Sequence, residues 1–144
     1  MNSDPKIICE IGGNHKGEFE LAKEMVKIAS NFCDVDVIKF QKRNNRELLS
    51  KDEFNKPHPN PENSYGETYG AHRENLEFNI DQKKELKKYC ESFNKIYSSS
   101  VWDITSANEI VSLNPSIIKI PSAMNLNFPL LSHICKIYNG EIHL

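Results

Sequence analysis

Glu10, Lys39 and Lys119 are the residues whose types and placement point to chemistry. Each follows or closes a short apolar run. Ile7-Ile8-Cys9 leads into Glu10-Ile11-Gly12-Gly13-Asn14-His15-Lys16-Gly17, Val35-Asp36-Val37-Ile38 into Lys39-Phe40-Gln41, and Ile117-Ile118 into Lys119-Ile120-Pro121-Ser122. A carboxylate brought beside two ammonium groups can move a proton while the cations hold an anion. In a parallel β/α architecture the carboxyl ends of all strands open onto one face, where barrels and open sheets bind their substrates.

The elements that must deliver these residues alternate along the chain. Strands are expected at residues 7–11, 35–40, 96–99 and 117–120, with a fifth beginning at Glu141. Helices are expected at residues 18–31, where Leu21, Met25, Ile28 and Ala29 make an apolar stripe, and at 81–93, capped by Asp81 and burying Leu86, Tyr89, Cys90 and Phe93. Two more are expected at 105–113, capped by Thr105 and stopped by Asn114-Pro115, and at 129–138, opened by Pro129 and closed by a left-handed Asn139-Gly140 pair. Strict alternation of strand and helix means a parallel sheet with right-handed crossovers, either a β/α barrel or a doubly wound sheet.

The composition is that of an ordinary globular protein: 144 residues, 38% hydrophobic, 26% charged, net charge −2. The lysines are mixed with glutamates, as in Lys83-Lys84-Glu85-Leu86-Lys87-Lys88, which reads as a solvated helix face rather than a nucleic-acid surface. No run approaches the roughly 20 apolar residues that cross a bilayer, and the first residues lack a signal-peptide core. Cytoplasmic location is therefore expected. Cys9, Cys33, Cys90 and Cys135 have neither CxxC nor His-pair spacing and are expected to be reduced, buried hydrophobes. No GxGxxG or GxxxxGK[ST] follows a strand, which argues against dinucleotide or nucleoside triphosphate binding.

Residues 42–80, rich in Asn, Pro and Glu, form a connection too long for a plain turn, and they leave the face that carries Lys39 and Gln41. They are expected to form a lid, with Tyr65, Tyr69, His72 and Arg73 either contacting the site or anchoring the segment. A complete eight-stranded barrel takes about 250 residues. The chain reads as ending within its fifth strand, which leaves an edge strand and apolar helix faces without partners and predicts poor solubility or self-association.

Glu10-Ile11-Gly12-Gly13-Asn14-His15-Lys16-Gly17, Ile38-Lys39-Phe40-Gln41, Thr68-Tyr69-Gly70-Ala71-His72-Arg73, Ser99-Ser100-Val101-Trp102-Asp103 and Ile118-Lys119-Ile120-Pro121-Ser122 together resemble the sialic acid synthase family, also called N-acetylneuraminate synthases. The resemblance runs from Lys6 to Leu144 and implies the first half, five strands and four helices, of a (β/α)8 TIM barrel, an α/β fold. The remaining barrel and a C-terminal antifreeze-like domain would lie outside the chain.

The activity the resemblance implies for the complete enzyme is condensation of phosphoenolpyruvate with N-acetylmannosamine or a related N-acylated amino sugar, free or as the 6-phosphate, to a sialic acid with release of phosphate. By the same resemblance Lys39, Lys119, Ser100 and Ser122 hold phosphate or carboxylate, Glu10 acts as acid or base, and Gln41 and Asn63 approach the sugar. A divalent metal, manganese or magnesium, would be held by histidines of later strands, so no ligand is assigned here; His15 is expected to be a hydrogen-bonding loop residue, and His58, His72, His133 and His143 surface or structural. The full-length form would be a homodimer, and this portion alone inactive. Two motifs depart from the family: Ser122-Ala123-Met124 stands where Ser-Gly-Glu is common, and Ser99-Ser100-Val101-Trp102-Asp103 where Ser-Thr-Pro-Phe-Asp is common. The sugar is thereby left open, with another phosphoenolpyruvate-dependent synthase on the same barrel, or a non-catalytic half-barrel acting as an assembly module, as the alternative readings.

Overall fold

The apolar runs pair side by side into one parallel sheet. The computed structural model describes residues 5–144, and within them the strands are β1 (Ile8–Gly12), β2 (Val37–Lys42), β3 (Ile96–Val101), β4 (Ile117–Lys119) and β5 (Glu141–His143), in the spatial order β1-β2-β3-β4-β5. Every strand lies beside its neighbour in sequence. A doubly wound sheet reverses order at a switch point, whereas a barrel winds in one direction, so this order is that of a barrel arc.

Between β1 and β2 runs α1 (Phe19–Phe32); the long connection contributes α2 (Asn45–Leu48), α3 (Lys51–Asn55), a 3-10 turn (Pro61–Asn63) and α4 (Tyr69–Asn75) before α5 (Ile80–Ser92). The rest of the helical layer is α6 (Ile104–Ser112), a second 3-10 turn (Ser122–Met124) and α7 (Phe128–Ile137). Period-two alternation divides the strands. Ile11, Ile38, Phe40 and Tyr97 pack against Val26, Ala29, Leu86 and Cys90, while Val101, Ile118 and Ile120 pack against Ala107, Ile110, Leu130 and Ile134. The opposite face carries Glu10, Lys39, Gln41, Ser98, Ser100, Lys119 and His143.

Several expectations shift by a residue or two. The buried stripe of α1 is Ala22, Val26 and Ala29, and Ile28 is exposed. The caps are Asn79, which forms a capping box with Gln82, and Asp103, rather than Asp81 and Thr105. Both accept from the N–H three residues on, the geometry a cap requires. Asn127 caps α7, with Pro129 in its first turn, and the helix ends in extended Tyr138 rather than in a left-handed Asn139-Gly140 pair. Left-handed residues instead follow α1, α5 and α6, at Asp34, Asn94 and Asn114, with φ of 46°, 57° and 50°. Cys90 is buried and Cys9 half-buried, but Cys33 and Cys135 are exposed, because both lie on outward sides of helical segments.

Residues 42–80 are a folded excursion with short helices of its own. Arg43 binds Glu77 through Nε at 2.6 Å, Arg46 pairs with Glu74 at 2.9 Å, and the Arg46 guanidinium lies 3.7 Å from the Phe54 ring centroid. Tyr65 stacks on His72 at 5.5 Å and Arg73 lies over Tyr69, so these four residues hold the segment to itself. Gly17, at φ of +82°, packs against the Asn75 carbonyl, a contact that any Cβ would block.

Candidate active site

Strand register assembles the site. Glu10 lies opposite Lys39 across β1 and β2, Gln41 opposite Ser100 across β2 and β3, and Ser100 opposite Lys119 across β3 and β4. Lys39 occupies the centre: its ammonium pairs with the Glu10 carboxylate and reaches Ser100 Oγ at 3.3 Å. Burial, and then the ammonium of Lys119, hold the Lys39 pKa below its ordinary value. Two cations and one carboxylate thus share a partly dry strand-end surface. An arriving phosphate or carboxylate would relieve the Lys39–Lys119 repulsion, the electrostatic mark of an anion site.

Gln41 lies one turn of the pleat beyond Lys39 on the same face. A Cβ at Gly13 would stand 3.0 Å from Gln41 Nε2, so the missing side chain there leaves the space that the amide occupies. His15 is buried and stacks on Phe78 with ring centroids 4.1 Å apart; its Nδ1 accepts from Gly17 N–H at 3.1 Å, which puts the ring proton on Nε2. Burial, and then the charge of Lys83, push its pKa down to about 4. Its role as a hydrogen-bonding loop residue is as expected.

Ser122 and Asn63 are not drawn into this group. Both are exposed, Ser122 at the start of the 3-10 turn after β4 and Asn63 at the end of the one after α3, and neither side chain makes a hydrogen bond among the described residues. Sequence reasoning passed over three others. His143 lies opposite Lys119 on β5, with Nε2 2.6 Å from Glu141 Oε1, and only its odd position in that strand signalled the site face. Asp103 accepts from Asn44 N–H at 2.7 Å and from Ser106 N–H at 2.6 Å, tying the start of the long excursion to the end of β3. Lys83, read as part of a solvated face, is buried with Nζ 2.6 Å from the Gln41 carbonyl.

A family model described as "NeuB family" matches residues 25–144. The chain belongs to the NeuB family. Among its relatives, the human N-acetylneuraminate-9-phosphate synthase is 35% identical over 130 residues, which are 90% of this chain and 36% of that protein. The N,N'-diacetyllegionaminic acid synthase of Campylobacter jejuni is 30% identical over 131 residues, 91% of this chain and 39% of that one. The crystal structure of an N-acetylneuraminic acid synthetase from Leptospira borgpetersenii, in complex with citrate, superposes with a TM-score of 0.73 at 26% identity, covering 92% of this chain and 42% of that one. This NeuB-family chain therefore spans a little over a third of the length of the curated relatives it matches. The divalent metal that the resemblance implies finds no donor set here: no three His, Cys, Asp or Glu side chains converge among the described residues, and no step is assigned to it. No described helix is long and apolar enough to cross a membrane.

Proposed function

We propose that these residues are the first part of a (β/α)8 catalytic barrel whose complete protein condenses phosphoenolpyruvate with an N-acylated amino sugar, releasing phosphate and leaving a nonulosonic acid. The observation that carries the reading is Lys39 set between Glu10, Ser100 and Lys119 at adjacent strand ends of a NeuB-family chain. Relatives named as synthases of sialic and legionaminic acids support it.

The chemistry asks for what this surface offers. Carbon 3 of phosphoenolpyruvate attacks the aldehyde carbon of the open-chain sugar; the new C–C bond takes the enol π pair, and the aldehyde oxygen gains a proton. Positive charge develops at carbon 2. Water adds there and gives up one proton; the bond from carbon 2 to the phosphate oxygen then breaks as the remaining hydroxyl proton passes to the departing phosphate, which leaves a 2-keto acid. Lys39 and Lys119 hold the anionic groups and Ser100 donates to them. Glu10, released from Lys39 as the anion takes over that cation, accepts the proton of the adding water. Gln41 binds a sugar hydroxyl or the acylamino group. Ser122 belongs to the phosphate end of this proposal, and Asn63 to the sugar end, only if the exposed turns that carry them fold inward.

Phosphate release from phosphoenolpyruvate, with manganese and N-acetylmannosamine or its 6-phosphate, tests the reading. The 144-residue chain would be compared with any longer form read through to the gene's stop codon. Sugar-dependent release that disappears in Lys39→Ala is the expected result. No release with any acylamino sugar, in either form, overturns it.

A further inference from the structure

Lys83 lies on α5 in a string that resembles a solvated helix face, yet it is 1% exposed. Its Nζ donates to the Gln41 carbonyl at 2.6 Å and stands 5.2 and 5.6 Å from the ring centroids of Phe40 and Phe78. No carboxylate pairs with it among the described residues. Glu77 faces it but is bound to Arg43; Lys42 and Arg43 face it as like charges, and His15, stacked on Phe78, feels its charge. A buried ammonium with one carbonyl partner is a costly way to fill a core position that Leu or Met would fill better. The carbonyl it holds belongs to Gln41, whose own side chain lies against Gly13 at the strand ends. Lys42 reaches the opposite way, from Nζ to the Phe78 carbonyl at 3.2 Å, so the end of β2 and the segment leading into α5 are clasped from both sides.

We propose that Lys83 is a positioning residue of the candidate site: by holding the Gln41 carbonyl it fixes the end of β2 so that the Gln41 amide meets the amino sugar. The inference rests on the synthase reading for its substrate and on geometry alone for the contact. Burial, partly offset by Glu77, pushes the Lys83 pKa down to about 7. Its charge is therefore lost as the pH rises through neutrality, and the grip on Gln41 weakens in the same range.

The test is steady-state kinetics on the longest form of the protein between pH 6 and 9, with KM read separately for amino sugar and for phosphoenolpyruvate. In the wild type the sugar KM should rise above about pH 7. Lys83→Met should raise the sugar KM about tenfold, leave the phosphoenolpyruvate KM within about twofold, and abolish that pH dependence. Lys83→Arg, which keeps a cation and donor, should return the sugar KM to within roughly threefold of wild type. Equal changes in both KM values, or an unchanged sugar KM, would overturn the proposal.

A second readout needs neither turnover nor a foldable variant. Carbonyl-13C glutamine with 15N-lysine isolates the Gln41–Lys42 and Gln82–Lys83 peptides, the Gln–Lys pairs of this chain. The Gln41–Lys42 signal of the wild type should titrate with a midpoint near pH 7. If the wild type turns over no sugar while this signal titrates, the synthase reading has failed and the Lys83–Gln41 contact stands; a Gln41 carbonyl signal at the position of an unbonded glutamine carbonyl throughout pH 6 to 9 sinks the Lys83 proposal itself.

Discussion

At the scale of residues, Lys39 is the side chain on which most depends. Loss of its ammonium leaves Glu10 without its cation and Lys119 alone to hold an anion, so Lys39→Ala is expected to lower kcat/KM for phosphoenolpyruvate by about 10²–10³. Phosphoenolpyruvate should raise the melting temperature of the wild type but not of Lys39→Ala, which scanning calorimetry would read without any turnover. His15 makes a separate prediction about pH. Its pKa is about 4 in the fold against the ordinary 6.5, so between those values the unfolded chain binds the extra proton. Stability should fall as the pH drops from about 6.5 to about 4, by on the order of 3 kcal/mol, and a series of urea midpoints in His15→Asn should lose most of that slope. Lys39 and Glu10 were legible in the sequence because a charge at the end of an apolar run has one place to go. Lys83 was not, since its neighbours Lys84, Glu85, Lys87 and Lys88 share its composition and only packing against Phe40 and Phe78 distinguishes it.

At the scale of elements, Asp103 does the work that the long excursion needs. One carboxylate caps α6 and receives Asn44 N–H, so Asp103→Ala removes a cap and leaves a donor at the start of residues 42–80 unpaired. A loss of about 1–2 kcal/mol in denaturant unfolding is expected, with faster amide exchange at Asn44. Gly13 makes the companion prediction for the first strand end. A methyl group there would displace the Gln41 amide, so Gly13→Ala should raise the sugar KM roughly tenfold while phosphoenolpyruvate binding is kept; equal losses for both substrates would place Gln41 elsewhere. The excursion's own helices were not foreseen, because stretches of four to seven residues carry too few turns to show a period.

At the scale of the molecule, the sheet is an open arc. Among the described residues β1 and β5 each have one unpaired edge, and Phe32, Leu126 and Phe128 are 81%, 76% and 70% exposed. An apolar periphery of this kind is a surface awaiting partners, whether further strands of a barrel or other copies. The 144-residue chain should show concentration-dependent association in sedimentation velocity, and the double variant Phe32→Lys, Phe128→Glu should shift it toward monomer; unaltered monomeric behaviour of the wild type would contradict this. The winding direction was open in the sequence, since alternating strands and helices serve a barrel and a doubly wound sheet equally. The neighbour relations of all five strands decided it.

What the sequence determined by itself was local: which runs become strands, that three of them deliver the charges of Glu10, Lys39 and Lys119, and that the motifs around Glu10, Lys39, Ser100 and Lys119 resemble one family. These follow from chain direction and side-chain period, which neighbouring residues impose on one another. The tertiary structure decided what depends on distant partners. Register put Lys39 between Glu10 and Ser100, burial turned Lys83 inward to the Gln41 carbonyl, and packing made residues 42–80 a folded excursion that leaves Asn63 on its outer surface. The first two of those outcomes are set by residues about 30 to 60 positions away, and no local pattern carries that information.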